Sequence, residues 1–105
     1  ISALKSSFVM TNTALLVTQI QYMTSGCTCV AIYAKGNTLY CANTGDSRAV
    51  MAFQDDDGSV KARDLSRDHK PDDPEEMERI LKWGGYVCPP PEPGLSARVY
   101  LDPDF

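Results

Sequence analysis

Ala42-Asn43-Thr44-Gly45-Asp46-Ser47-Arg48 separates two apolar runs of the chain. An apolar run from Leu39 to Ala42 leads into it and a second, Ala49 to Phe53, leads out, so it reads as a turn between two strands. Gly45 permits the positive φ that a tight turn often needs, and the Asp46 side chain is able to accept hydrogen bonds from nearby backbone amides. Two readings stay open on these residues alone. One is a hairpin turn with a solvated aspartate; the other is a carboxylate at a strand end that faces a metal, or a water held by one.

The strands on either side extend the pattern. Cys27 to Ala34 is a strand almost free of charge and apolar on both faces, which implies layers above and below it. Gly36-Asn37 suits a two-residue hairpin turn, so Thr38 to Asn43 returns beside it. Arg48 to Phe53 then forms the third strand of a meander, and Ser59 to Ala62 a short fourth. Asp55-Asp56-Asp57-Gly58 between them lacks the alternating ligands and distant Glu of a calcium-binding EF-hand loop, and reads as a solvated acidic turn.

Before the first strand, residues 2 to about 20 read as a helix. Leu4 and Phe8 lie four apart, and Leu15, Leu16 and Ile20 carry the apolar side onward, although Thr11, Asn12 and Thr13 weaken its centre. A one-sided stripe of this kind packs on a sheet. Residues 21 to 26 make a loop broken by Ser25-Gly26.

The strongest local signal lies further on. Asp73 is a natural N-cap, Pro74 fits the first helical position, and Glu76 stands where it completes a capping box. A helix over 74–83 follows, with Met77, Ile80 and Leu81 as its buried stripe and Gly84-Gly85 as its end. Tyr86 to Cys88 reads as a strand, the proline-rich 89–93 as an extended loop, and Ala97 to Leu101 as a final strand. His69, the one histidine, sits in Asp68-His69-Lys70-Pro71 within the polar connection 63–73 and reads as structural or hydrogen-bonded rather than as a catalytic base.

Composition narrows the functional classes. The 105 residues suffice for one small domain, with 43% apolar residues to build a core. A net charge of −4 argues against nucleic acid and anionic membrane as partners. No apolar run reaches the ~20 residues of a membrane span, and the first segment lacks a signal peptide's layout. Cys27, Cys29, Cys41 and Cys88 have no zinc-finger spacing, and read as small buried thiols of a reducing compartment.

Five motifs in order carry a resemblance: Ser25-Gly26-Cys27-Thr28 opening a strand, the Ala42 to Arg48 turn, Asp68-His69-Lys70-Pro71, Glu76 with Arg79-Ile80 and Gly84-Gly85, and Ala97-Arg98-Val99-Tyr100-Leu101. Together they resemble the middle of a metal-dependent Ser/Thr protein phosphatase catalytic domain of type 2C, over roughly residues 3 to 101. The resemblance implies an α+β fold, a fragment of an α-β-β-α sandwich with mostly antiparallel sheets and packed outer helices. It also implies a binuclear Mn2+ or Mg2+ centre and hydrolysis of phosphoserine or phosphothreonine by a metal-activated water. By the same resemblance the core metal ligands lie upstream of Ile1 and downstream of Phe105, and the phosphate-binding arginine lies near the domain's start. The catalytic histidine belongs to an upstream Asp-Gly motif, so no catalytic residue is assigned here. Asp46 alone carries over, as ligand to a further, weaker metal.

Two departures are noted: Cys27 stands where the family often has Ser or Thr, and Gly94 to Arg98 echoes a later family segment without being it. The expectation is a central piece of the domain, residues 1–105, with N- and C-terminal parts absent. By itself it is inactive, and it is prone to self-association through cut sheet faces. Phosphoproteins are the expected substrates, with a cytoplasmic or nuclear location. The rival reading is a non-catalytic interaction module that keeps the sandwich without the chemistry.

Overall fold

The computed structural model describes residues 1–104. In chain order the elements are α1 (Ser2–Leu15), β1 (Cys29–Lys35), β2 (Thr38–Thr44), β3 (Val50–Gln54), β4 (Val60–Asp64), α2 (Pro74–Lys82), β5 (Tyr86–Cys88) and β6 (Arg98–Tyr100). The mix is α+β with antiparallel sheets, as expected for part of a type 2C phosphatase sandwich. The chain divides into two compact units, Ile1–Asp68 and a second that begins at His69. No described helix is long and apolar enough to cross a membrane.

In the first unit, β1 and β2 pair from Cys29↔Thr44 to Lys35↔Thr38 around the two-residue turn Gly36-Asn37. Gly36 has φ 59° while Asn37 has no positive φ, the pattern of a type II′ hairpin. The Tyr33 and Tyr40 rings add a cross-strand pair 6.1 Å apart. β3 and β4 form a second hairpin, Val50↔Asp64 to Gln54↔Val60. Its acidic loop closes on itself: Asp55 N donates to Ser59 O at 2.8 Å, Gly58 N to Asp55 O at 2.9 Å, and Ser59 N to Asp57 Oδ1 at 2.9 Å.

The meander is not formed. The three sheets of the described residues are each two-stranded, and β2 and β3 do not pair. Between them Ser47, Arg48 and Ala49 hydrogen-bond to Thr28, Asp68 and Ser66.

α1 is shorter than its apolar pattern. Thr11 and Thr13 donate their hydroxyls to Ser7 O and Val9 O at 2.7 and 3.0 Å, a local competition with the helix ladder. The chain leaves the helix through three-residue turns at Leu16, Val17 and Thr18. Leu4, Phe8 and Leu15 are its half-buried stripe. With Leu39 to Thr44 of β2, the N-terminal half of α1 borders an open groove of about 730 Å³.

In the second unit, α2 starts as its sequence dictates. The Asp73 side chain accepts from Glu76 N at 3.3 Å with Pro74 at the first helical position. The capping box is half made, because the Glu76 carboxylate turns to Arg79, at 3.0 and 2.7 Å, instead of reaching back. The helix ends in a Schellman arrangement: Gly84, φ 84°, donates to Leu81 O at 3.1 Å and Gly85 to Ile80 O at 2.9 Å. β5 and β6 pair from Tyr86↔Tyr100 to Cys88↔Arg98.

Burial falls short of the sequence pattern. Ile80 (8% exposed) and Ala97 (4%) are the buried apolar side chains among the described residues. Leu81 is 52% exposed, so the α2 stripe narrows to Met77 and Ile80. β1 is not covered on both faces: Ile32 and Tyr33 are each about half exposed. Cys27 and Cys29 are exposed and Cys41 and Cys88 half-buried, all four free thiols, against the buried positions expected. Apolar side chains such as Ile32, Leu39 and Leu81 thus stay about half exposed, at 47%, 50% and 52%.

Candidate functional site

The Ala42–Arg48 stretch is the most heavily braced part of the first unit. β2 runs to Thr44, and Gly45 follows with φ 105°, a conformation that residues with a Cβ rarely adopt. A Cβ at Gly45 would also lie 2.4 Å from Thr28 Cγ2 and 3.2 Å from Thr28 Cα. Glycine is therefore required twice over, for the backbone angle and for the close approach of the segment entering β1.

Side chains then tie the turn to its surroundings. Asn43 Nδ2 donates to Gly45 O at 3.2 Å and to Arg67 O at 3.1 Å, bridging the turn and the segment after β4. Ser47 Oγ and Thr28 Oγ1 share a hydrogen bond of 2.6 Å. Arg48 forks onto Asp68, Nε to Oδ1 and Nη2 to Oδ2, each at 2.9 Å. The Asp68 carboxylate holds the guanidinium pKa above its usual range, first through the hydrogen bonds and then through its charge. Ala49 N donates to Ser66 Oγ at 3.0 Å, and Leu65 N to Ala49 O at 2.9 Å. The segment Leu65–Asp68 therefore straps the turn from one side and Thr28 from another.

Asp46 stands apart in this network. Its residue is exposed, and among the described residues its carboxylate takes part in no hydrogen bond or ion pair. The expectation that it caps nearby amides is not met; Asn43 and Ser47 stabilise the turn instead. A rigid backbone carrying an unengaged carboxylate is suited to present one hard oxygen donor. Asp46 fits as a single ligand to a hard cation. It does not by itself make a centre, because no group of three or more His, Cys, Asp or Glu side chains converges among the described residues.

His69 is exposed and opens the second unit, where the Arg79 hydrogen bond holds the Glu76 carboxyl low. The residues that sequence reasoning left unpaired are Asn43, Thr28, Ser47 and Ser66. Arg48 and Asp68 were visible within their motifs, but nothing in the chain announces that partners 20 positions apart meet.

Comparison with known proteins identifies the family. A family model described as protein phosphatase 2C matches residues 2–98. The chain is 47% identical over 77 residues to the probable protein phosphatase 2C 73 of Arabidopsis thaliana, covering 72% of this chain and 20% of that protein. It is 45% identical over 87 residues to the probable protein phosphatase 2C 34 of the same plant, covering 82% and 24%. With protein phosphatase 2C homolog 3 of Schizosaccharomyces pombe it shares 43% over 88 residues, covering 83% and 20%. No solved structure matches. The chain spans about a fifth of the length of these curated relatives. A match over residues 2–98 takes in the braced turn and its strap together, and the chain belongs to the protein phosphatase 2C family.

Proposed function

We propose that this chain is a segment of the catalytic domain of a metal-dependent protein serine/threonine phosphatase, and that Asp46 supplies one ligand to a Mn2+ or Mg2+ ion in the complete protein. Phosphoproteins carrying phosphoserine or phosphothreonine are the substrates on this reading. Family membership over residues 2–98 supports the reaction class, and the exposed, unengaged carboxylate on a braced turn supports the role of Asp46. A bound divalent cation supplies the acidity of its water and neutralises phosphate charge. What this segment contributes is position: Gly45, Asn43, Ser47 and Arg48 hold the backbone that presents the carboxylate.

The 105-residue chain by itself is proposed to be inactive, since its described residues bring no three metal-ligating side chains together. A reducing location in cytoplasm or nucleus is proposed as well, consistent with four free thiols.

The test is phosphate release from a phosphothreonine peptide by the complete protein, with Mn2+, with Mg2+ and with chelator, beside the 105-residue chain alone. Metal-dependent turnover by the complete protein and none by the segment is the expected result. A complete protein that binds phosphopeptide yet turns over nothing at any metal concentration would instead mark an interaction module.

A further inference from the structure

We propose that Asn43, acting with the Arg48–Asp68 pair, is a positioning residue for Asp46: it fixes the direction in which the carboxylate is presented, and with it the affinity of the site which that carboxylate serves. The inference rests on the metal-facing reading of Asp46 given above.

The geometry runs through one peptide plane. Asn43 spends the two hydrogens of its amide on two carbonyls, Gly45 O at 3.2 Å and Arg67 O at 3.1 Å. The Gly45 carbonyl belongs to the same planar group as the Asp46 amide nitrogen, so holding that oxygen orients the plane from which Asp46 departs. On the other side of Asp46, Ser47 is tied to Thr28 at 2.6 Å and Arg48 is forked onto Asp68. Asp46 thus lies between two fixed points, and its carboxylate is unengaged among the described residues. The Arg67 carbonyl that Asn43 grips precedes Asp68 directly, so the amide and the ion pair hold one strap at adjacent residues.

The orientation of the Asn43 amide is also decided. Inverting it would point its oxygen at two carbonyl oxygens. As placed, Asn43 Oδ1 is buried with no hydrogen-bond partner among the described residues. An asparagine whose oxygen is left unsatisfied while both donor hydrogens are used is held for its donors. A turn that needed only stability has simpler solutions; one that must deliver a ligand within a fraction of an ångström needs this kind of outer support.

The experiment uses the complete protein and Mn2+ as probe, with free Mn2+ counted by EPR during titration and phosphatase activity followed in parallel. The variants are Asp46→Asn, Asn43→Leu, Arg48→Lys, and Arg79→Lys as a control in the α2 ion pair of the second unit. Leucine keeps the size of asparagine without adding a charge that could itself attract metal. Asp46→Asn is expected to abolish one class of bound Mn2+. Asn43→Leu and Arg48→Lys are expected to weaken that same class by about tenfold, equivalent to about 1.4 kcal/mol. Arg79→Lys is expected to leave it unchanged even where its melting temperature falls. Wild-type Mn2+ binding in Asn43→Leu and Arg48→Lys, with the class lost in Asp46→Asn, overturns the positioning role and leaves the Asp46 reading intact. Wild-type binding in Asp46→Asn overturns both. Should Asn43→Leu fail to fold, Arg48→Lys decides, because it keeps the charge and loses only the fork.

Discussion

Gly45→Ala probes the turn where its geometry is least forgiving. Two costs combine. Placing alanine at φ 105° is expected to cost about 1–3 kcal/mol of backbone strain. The new Cβ would sit 2.4 Å from Thr28 Cγ2, 2.7 Å from Thr28 Cβ and 3.2 Å from Thr28 Cα. Thr28 cannot yield by rotating alone, since its Cα and Cβ are among the atoms met and its hydroxyl is held by Ser47 at 2.6 Å. Overpacking of this kind typically costs about 1–3 kcal/mol. Against these stands the entropy that alanine removes from the unfolded chain, about 0.4–1 kcal/mol. The net is a destabilisation of about 3 kcal/mol, and the low end of both costs set against the high end of the entropy offset still leaves about 1 kcal/mol. In a domain of 150–250 residues that corresponds to a fall of roughly 6–12 °C in melting temperature.

The assay is thermal unfolding of the complete protein by circular dichroism. Gly26→Ala serves as control, because a Cβ there meets nothing within 4 Å and the backbone has no positive φ. Pairing Gly45→Ala with Thr28→Gly should recover the part due to the clash and not the part due to φ, seen as a coupling in the double-mutant cycle. A Gly45→Ala protein that melts within about 1 °C of wild type would mean that neither the angle nor the contact exists.

Three further outcomes are expected. Asp73→Ala should cost about 0.5–2 kcal/mol, because the Asp73 carboxylate caps Glu76 N; unchanged stability in urea unfolding would deny the cap. The Glu76 carboxyl is held below its usual pKa, chiefly by the Arg79 hydrogen bond. Its contribution to stability is thus present above the unfolded value of about 4.3 and fades as pH falls through the folded one. The stability difference between wild type and Glu76→Gln should therefore shrink as pH falls below about 4.3; a difference that grows on acidification through that range would contradict the sign. The 105-residue chain alone should self-associate through apolar faces such as Ile32, Leu39 and Val60, which are 47%, 50% and 75% exposed; a monodisperse monomer in light scattering at high concentration would count against this.

Local chemistry was legible in the chain and distant chemistry was not. The start of α2 could be read from Asp73-Pro74, and its end from Gly84-Gly85, because caps act within a turn of helix. The Gly36-Asn37 hairpin was legible for the same reason. The end of α1 was misjudged because an apolar pattern through Ile20 outlasts the helix, which the threonine hydroxyls and the turns after Leu15 bring to a close. The missing β2–β3 pairing had no local signal at all: apolar runs flank the turn, yet Asn43, Ser47, Arg48 and Ala49 bind Arg67, Thr28, Asp68 and Ser66 and lead the chain elsewhere. Burial of β1 on both faces was inferred from its apolarity, which states what a strand can tolerate and not what the segment supplies to cover it. Of the candidate site, the sequence offered the carboxylate and the glycine; the brace around them required the structure.

If the braced turn presents Asp46 for metal-dependent phosphatase chemistry, Asp46→Asn in the complete protein, assayed across Mn2+ concentration, will show it. Activity should fall at least tenfold, about 1.4 kcal/mol of transition-state stabilisation, with the fold intact and with no recovery at saturating Mn2+. Full activity of the asparagine variant at both limiting and saturating Mn2+ would contradict the claim and leave Asp46 a solvated turn residue.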